Sequence, residues 1–129
     1  MTSLFVNTIG AYSGTVVMNF QSETTAALKI TSTGAWRIEI RNPLTAPQFA
    51  GTAVGHGDNV VAYLGGAAIG AIHNSGGENF AVTEYSAAGS PNLLVNEIGA
   101  YDGNQPLSAG PTFIAVQSTG SWSIKASAQ

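Results

Sequence analysis

The chain has 129 residues, of which 44 % are hydrophobic and only 9 % charged, and its formal net charge is −3. Disordered chains combine few apolar residues with high net charge, so this composition predicts one folded domain, residues 1–129, with a neutral surface. Four basic residues cannot form the stripe that nucleic acid requires, and the absence of cysteine excludes disulfides and thiol chemistry.

The N-terminus lacks the basic region that begins a signal peptide, so no signal peptide is expected in this chain. The uncharged run at 60–72 is about half the length that a membrane-spanning helix needs, and it contains three glycines. We therefore expect no membrane insertion.

Two parts of the chain carry nearly the same sequence. Residues 4–14 read LFVNTIGAYSG, and residues 93–103 read LLVNEIGAYDG. A second pair follows, ITSTGAWRI at 30–38 and VQSTGSWSI at 116–124. Such self-similarity indicates an architecture built from internal repeats.

The first repeat unit, residues 4–40, is rich in β-prone residues and contains a polar loop at 21–25. Apolar and polar residues alternate at 28–31 and again at 36–40. This period of two predicts the arms of a β-hairpin closed around Ser32-Thr33-Gly34-Ala35, in which Gly34 is free to adopt a positive φ.

The rest of the chain contains two more units. Residues 41–57 hold two prolines and three glycines, which predicts a connection anchored only at Phe49. A middle unit at 58–85 and a third unit at 93–126 follow, with a loop predicted at 84–92. In each unit a tyrosine–glycine turn precedes a hairpin whose second arm opens with an aromatic residue.

About nine short strands with frequent turns predict an all-β fold, an antiparallel β-sandwich of jelly-roll type built from internal repeats. A β-trefoil or a β-prism is the alternative. No stretch has a sustained helical period, so helix content should be near zero. The aromatic residues that open the second arms are expected in the core: Trp36, Phe80 and Trp122.

The third unit resembles an uncharacterised β-sandwich module found at the C-terminal end of secreted and surface-anchored actinobacterial proteins. That module reads LLVN-x-IG-x-Y-x-G and then G-x-W-x-I, which matches residues 79–126 here and residues 4–40 as a related copy. The resemblance implies a β-sandwich without a catalytic role. For a free-standing module it also fits a component of a phage particle, so a virion or an extracellular surface is the expected location.

Few residues offer catalytic or metal-binding chemistry. His56 and Asp58 share a loop but supply only two of the three or four ligands that a metal site needs. His73 is expected to cap a turn, and Asp102 begins half of a calcium-type loop without its distant acidic ligand, which favours turn chemistry. Since no Gly-x-Ser-x-Gly elbow occurs either, we predict no enzyme activity, no catalytic residue, no metal and no cofactor.

Three tyrosines each precede a glycine by two residues. The favoured interpretation places their rings at the edge of the core with the hydroxyl at the surface, and sugar stacking is the alternative. The candidate ligand contacts are therefore Tyr12, Tyr63, Tyr101, His56, Asp58 and Asp102.

These features favour a non-catalytic structural or interaction module displayed on a larger assembly, such as a capsid or tail decoration protein of a phage virion or a cell-surface domain. Protein partners in a homo-oligomer or lattice are expected, through the connections at 43–58 and 84–92 or through weakly charged edge strands. The alternative is a lectin-like carbohydrate-binding module for a cell-surface glycan.

Overall fold

A computed structural model of the chain describes residues 4–19, 25–87 and 91–128. The strands are β1 (Gln48–Phe49), β2 (Thr52–His56), β3 (Asn59–Tyr63), β4 (Ala68–Asn74), β5 (Asn79–Ser86), β6 (Asn92–Ile98), β7 (Tyr101–Leu107), β8 (Thr112–Gln117) and β9 (Ser121–Ala128). The only helix within the described ranges is a 3₁₀ turn at Pro43–Thr45. The prediction of almost no helix is confirmed.

The nine strands form two sheets. Sheet A has the order β1-β3-β8-β5-β6, and sheet B has the order β2-β9-β4-β7. All pairings are antiparallel except that of β1 with β3. In the part of the chain that the structure describes, neither sheet closes into a barrel, so the predicted all-β, sandwich-like architecture is confirmed.

The hydrophobic core lies between the two sheets, because alternate residues of each strand point inward. On β4, for example, every second residue from Ala68 to Asn74 is buried. Phe80 of sheet A and Ile124 of sheet B are completely buried. Trp122 is also buried: its ring packs on Gly55 of the neighbouring strand, where a Cβ atom would lie 2.3 Å from the ring.

The first repeat unit differs from the prediction. Residues 4–19 and 25–42 contain no strand, and the loop predicted at 21–25 lies largely outside the described residues. Trp36, predicted to be a core residue, is 60 % exposed, whereas its counterpart Trp122 is 3 % exposed. The core assignment therefore holds for Phe80 and Trp122 and is wrong for Trp36.

The predicted hairpin around Ser32–Ala35 is wrong, and the third unit shows the reason. The two strands that flank the equivalent turn, β8 and β9, lie in different sheets. That turn is therefore an arch between sheets, and its arms pair with other strands. An alternating pattern identifies a strand without identifying the strand that pairs with it.

Two predicted connections also contain strands. The segment 41–57 contains β1 and β2, and β2 pairs with β9 over five residues, from Thr52 to His56. Residues 84–86 continue β5, and the buried Glu84 carboxylate accepts a hydrogen bond from the Ser108 backbone N–H at 3.0 Å. Glu84 is thus part of the interior and not of a contact loop, while 88–90 lie outside the described residues.

Replacing Trp122 with Ala should lower the free energy of unfolding by about 3–5 kcal/mol, because the ring fills space between the sheets. Replacing Trp36 with Ala should change it by less than about 0.5 kcal/mol, because that ring is mostly exposed. Urea denaturation followed by circular dichroism measures both variants. Equal losses in the two variants would contradict the exposed position of Trp36.

Candidate functional site

The N-terminal segment, defined as residues 4–19 and 25–42, exposes many large apolar side chains. The large apolar side chains that this segment exposes are Leu4, Val6, Ile9, Tyr12, Val16, Leu28, Ile30, Trp36, Ile38 and Ile40. Soluble monomers rarely leave so much apolar surface uncovered, and uncovered apolar surface marks a site of interaction. This segment is the leading candidate for a functional surface.

Apolar and charged side chains alternate in sequence near the end of the segment. Its apolar side consists of Trp36, Ile38 and Ile40, which are 60 %, 48 % and 73 % exposed. On the other side, the Glu39 carboxylate accepts hydrogen bonds from Arg41 and from Arg37, the latter at 2.5 Å. The two guanidinium groups, that of Arg41 foremost, lower the pKa of Glu39. The charged groups therefore have hydrogen-bond partners within the segment, whereas the apolar side chains remain uncovered.

Local turn geometry of the third unit recurs in this segment. Gly10 and its counterpart Gly99 both have a φ of 93°, which an L-residue adopts only with strain. The Ser32 hydroxyl accepts a hydrogen bond from the Gly34 N–H at 3.2 Å, and Ser118 makes the same contact with the second residue after it at 3.0 Å. Each of these turns therefore shares a local feature with its counterpart in the third unit, a glycine torsion in one and a serine–glycine hydrogen bond in the other.

Tyr12 attaches the N-terminal segment to the turn after β2. Its hydroxyl donates to Asp58 Oδ2 at 2.7 Å, and the Thr15 N–H donates to the Asp58 carbonyl at 3.0 Å. The other Asp58 oxygen accepts from the Ser118 N–H at 2.9 Å. Partial burial, and then the hydrogen bond and negative charge of Asp58, raise the pKa of Tyr12. Asp58 thus joins the segment to the start of the β8–β9 turn.

The other two repeated tyrosines have different surroundings. Tyr63 is 2 % exposed, its ring packs on Phe49 and its hydroxyl donates to the Gly66 carbonyl at 2.6 Å. A ligand cannot reach it, so Tyr63 is a core residue and not the predicted ligand contact. Tyr101 lies in β7, half-buried, with its ring 5.8 Å from that of Phe80. The repeated tyrosines therefore do not form one sugar-stacking surface.

Both histidines line a shallow depression of about 620 Å³ on the outer face of sheet B. The residues around it are Val54, Gly55, His56, His73, Ser75, Ser121, Trp122 and Ser123. His56 Nδ1 lies 3.3 Å from Ser121 Oγ, and His73 Nδ1 lies 3.0 Å from Asp102 Oδ1. His73 lies in β4 and is not a turn cap, and Asp102 lies in β7 rather than in a loop.

Strand register places Ser123, His73 and Asp102 side by side on β9, β4 and β7. Asp102 fixes the orientation of the His73 ring through Nδ1, which leaves Nε2 available to a polar ligand. Within the described ranges His73 hydrogen-bonds to Asp102 and not to Ser123, and the Asp102 side chain is 84 % exposed. Acyl transfer needs preorganised donors in a water-excluded site, so this arrangement is better suited to hydrogen bonding than to catalysis.

The side chains of His56 and Asp58 do not meet, although they are only two residues apart. His56 contacts Ser121 on the outer face of sheet B, whereas Asp58 contacts Tyr12 and Ser118. Among the described residues, no group of three or more His, Cys, Asp or Glu side chains is placed to hold a metal ion.

Sequence reasoning missed the His73–Asp102 pair. The two residues are 29 positions apart, and only the register of β4 with β7 brings them together. No local motif signals that register, since both residues are outward-facing polar positions in alternating strands.

Comparison of the chain with known protein families, with curated proteins and with solved structures finds no match. Among the residues described, no helix is long and apolar enough to cross a lipid bilayer. The surfaces of the molecule itself are therefore the basis for a proposed function.

The Tyr12–Asp58 contact predicts a loss of stability in alkali. Because the pKa of Tyr12 is raised, the folded chain keeps this phenol protonated at the ordinary tyrosine pKa of about 10, where the unfolded chain begins to ionise. Its contribution to stability is complete below that pH and is lost as the pH rises further.

Tyrosinate absorbance of the folded chain measures this shift. Replacing Tyr12 with Phe should leave the amplitude of ionisation near pH 10 unchanged, because Tyr12 does not ionise there. A decrease in amplitude equal to one tyrosine would show that Tyr12 titrates normally and that the contact with Asp58 does not persist in solution.

Proposed function

We propose that this chain is a non-catalytic structural or interaction module of a larger assembly, and that its N-terminal segment is the contact surface. The observation that carries the proposal is the uncovered apolar face that includes Trp36, Ile38 and Ile40. Burying one aliphatic side chain contributes about 1.5–3 kcal/mol, so covering several of them supports a stable protein contact.

We infer the type of sandwich and the setting of the module from its sequence. Its fold is a jelly-roll-type sandwich built from internal repeats, as in the actinobacterial surface module that its motifs resemble. Its setting is a phage virion, as a capsid or tail decoration protein, or a cell surface. A charged fraction of only 9 % supports this setting, because such a surface repels neighbouring proteins weakly.

A carbohydrate-binding module is the second candidate. The observation that favours it is the depression on sheet B, where His56, His73 and three serines present polar groups beside an exposed Val54. If this candidate is correct, titration with cell-wall polysaccharide should give binding that His73→Ala weakens and Tyr63→Phe does not. Binding that is insensitive to His73→Ala would exclude the depression as the site.

The interaction role predicts self-association of the purified chain when no other partner is present. Light scattering coupled to size exclusion, over a range of concentrations, should show an increase in mass. Each of Trp36→Ser and Ile38→Ser should weaken association by at least about tenfold, since each removes apolar surface from the contact. Val54→Ser is the matched control, because Val54 is 75 % exposed but lies on β2, outside the segment.

A chain that remains monomeric at every concentration, and that does not sediment with candidate particles or cell surfaces, would contradict this function. Association that Val54→Ser weakens as much as Trp36→Ser would place the contact elsewhere on the molecule.

A further inference from the structure

All backbone ladders of the third unit are formed with strands that precede it in the chain. β6 pairs with β5, and β7 pairs with β4. β8 lies between β3 and β5, and β9 lies between β2 and β4. Among the described residues, β6, β7, β8 and β9 form no ladder with one another. We call β2, β3, β4 and β5 the framework strands, because they supply the strand partners of the whole third unit.

The first unit contains a counterpart of each strand of the third unit. By the sequence repeat, residues 4–9, 12–18, 26–31 and 35–42 correspond to β6, β7, β8 and β9 in that order. The first copy is longer only in the connection between its second and third counterparts. A longer connection changes the free energy of loop closure little, so the two copies are alike in what they bring to the framework strands.

Interior positions of the third unit have apolar counterparts in the first. The buried apolar residues of the third unit are Leu94, Val95, Leu107, Ile114, Val116, Trp122 and Ile124. Their counterparts, in the same order, are Phe5, Val6, Met18, Leu28, Ile30, Trp36 and Ile38. Outward positions differ, since Ser123 and Lys125 correspond to Arg37 and Glu39. The first copy therefore has an apolar residue wherever a strand of the third unit faces the core with one.

The turns of the first copy also carry the groups that the framework strands bind. Asn74, at the end of β4, is completely buried. Its amide donates to the Gly99 carbonyl at 3.0 Å and accepts from the Ser118 hydroxyl at 2.7 Å. The counterparts are Gly10, which has the same φ of 93° as Gly99, and Ser32. Asn74 could thus make the same two hydrogen bonds to the first copy.

The site that holds Trp122 fits the tryptophan of the first copy as well. The ring of Trp122 packs on Gly55 of β2, and its Nε1 donates to the Gly57 carbonyl at 2.9 Å. Both glycines belong to the framework strands and the turn after β2, so neither would change if Trp36 took the place of Trp122.

One interior position favours the first copy. The Thr112 hydroxyl is buried and, within the described part of the chain, has no hydrogen-bond partner. A buried hydroxyl without a partner costs free energy. The counterpart of Thr112 is Ala26, which has no hydroxyl, so the first copy avoids this cost.

We propose that the N-terminal segment and the third unit are interchangeable sets of strands, and that either set completes the sandwich on the framework strands. The structure shows the arrangement in which the third unit is paired. In the exchanged arrangement the first copy forms the ladders, Trp36 is buried against Gly55, and Trp122 is exposed. One copy is paired in both arrangements, so their difference in free energy depends only on the differences between the copies.

The order of the strands along the chain permits the exchange. Thr52 of β2 is the register partner of Lys125, so the counterpart Glu39 would lie opposite Thr52. Residues 40–51 would then join two adjacent antiparallel strands, which need only a short connection.

This inference goes beyond the proposed function and does not depend on it. Exchange adds a means of control to the proposed contact surface, because it withdraws the apolar residues around Trp36 into the core. It uncovers instead the apolar residues around Trp122.

Pairs of introduced cysteines test the exchange, because the chain contains no other cysteine. His56 is the register partner of Ser121, whose counterpart is Ala35. Directly opposed residues of antiparallel strands have Cα atoms about 4.5–5.5 Å apart, which a disulfide can bridge. We expect the full-length variant Ala35→Cys with His56→Cys to form an intramolecular disulfide in glutathione buffer. In the cross-linked chain, protection from hydrogen exchange should appear at 4–42 and disappear at 93–126.

Two further pairs are the controls. His56→Cys with Ser121→Cys should form a disulfide that leaves protection at 93–126 unchanged. Ala35→Cys with Thr52→Cys is out of register in the exchanged arrangement and should cross-link at least about tenfold more slowly than Ala35→Cys with His56→Cys. Equal rates for these two pairs, or a cross-link at 35 and 56 with protection still at 93–126, would overturn the proposal.

A substitution in the core of the full-length chain provides a second measurement without cysteines. Ile124 is completely buried, whereas its counterpart Ile38 is 48 % exposed. Ile124→Asn places an amide without partners in the core and so weakens the arrangement that the structure shows. Protection from hydrogen exchange should then move from 93–126 to 4–42, while the framework strands stay protected.

Ile38→Asn is the matched control, and it should leave protection at 93–126 unchanged. The double variant with both substitutions should lose protection at 4–42, at 93–126 and in the framework strands, because neither copy can complete the core. If Ile124→Asn alone is as unprotected as the double variant, the first copy does not replace the third unit and the inference is wrong.

Discussion

The segment that contains β4 and β5 supplies one internal strand to each sheet, and the pairing of β6 and β7 depends on it. Its two strands run through the middle of the third unit, one in each sheet, and the four strands of that unit pair through them. Ordering a residue of backbone costs about 1–2 kcal/mol, and strands offset this cost only when ladders and packing form together. Residues 4–19 and 25–42 resemble such strands in sequence, and among the described residues no counterpart of β4 and β5 pairs with them.

Comparison of the two copies of the repeat shows which structural features the local sequence determines and which depend on tertiary contacts. The turn at Gly10 and the Ser32–Gly34 hydrogen bond match their counterparts, because glycine torsion and short-range side-chain bonds depend on neighbouring residues alone. Burial does not match: Trp36 is mostly exposed and Trp122 is enclosed. Strand formation in this chain therefore depends on available partners more than on intrinsic preference.

The same distinction explains how far the sequence could predict the structure. Alternation and turn residues were sufficient for the all-β class and for the core positions of Phe80 and Trp122. They were insufficient to exclude a hairpin around 32–35, because alternation does not identify a partner strand. The strands in 41–57 were missed because closely spaced glycine and proline obscure short edge strands. The His73–Asp102 contact depends on register between distant strands, which one sequence without aligned relatives does not reveal.

Apolar surface and buried polar groups contribute differently to recognition by the N-terminal segment. The face that includes Trp36 attracts apolar partners with little selectivity, because hydrophobic association has no preferred direction. The Gly10 carbonyl imposes selectivity, since a partner that buries it without a hydrogen bond leaves it unsatisfied at a cost of about 1–3 kcal/mol. In the third unit the Asn74 amide donates to the corresponding Gly99 carbonyl, which avoids that cost. The apolar face therefore provides most of the driving force for covering the segment, and the Gly10 carbonyl favours a partner that donates a hydrogen bond to it.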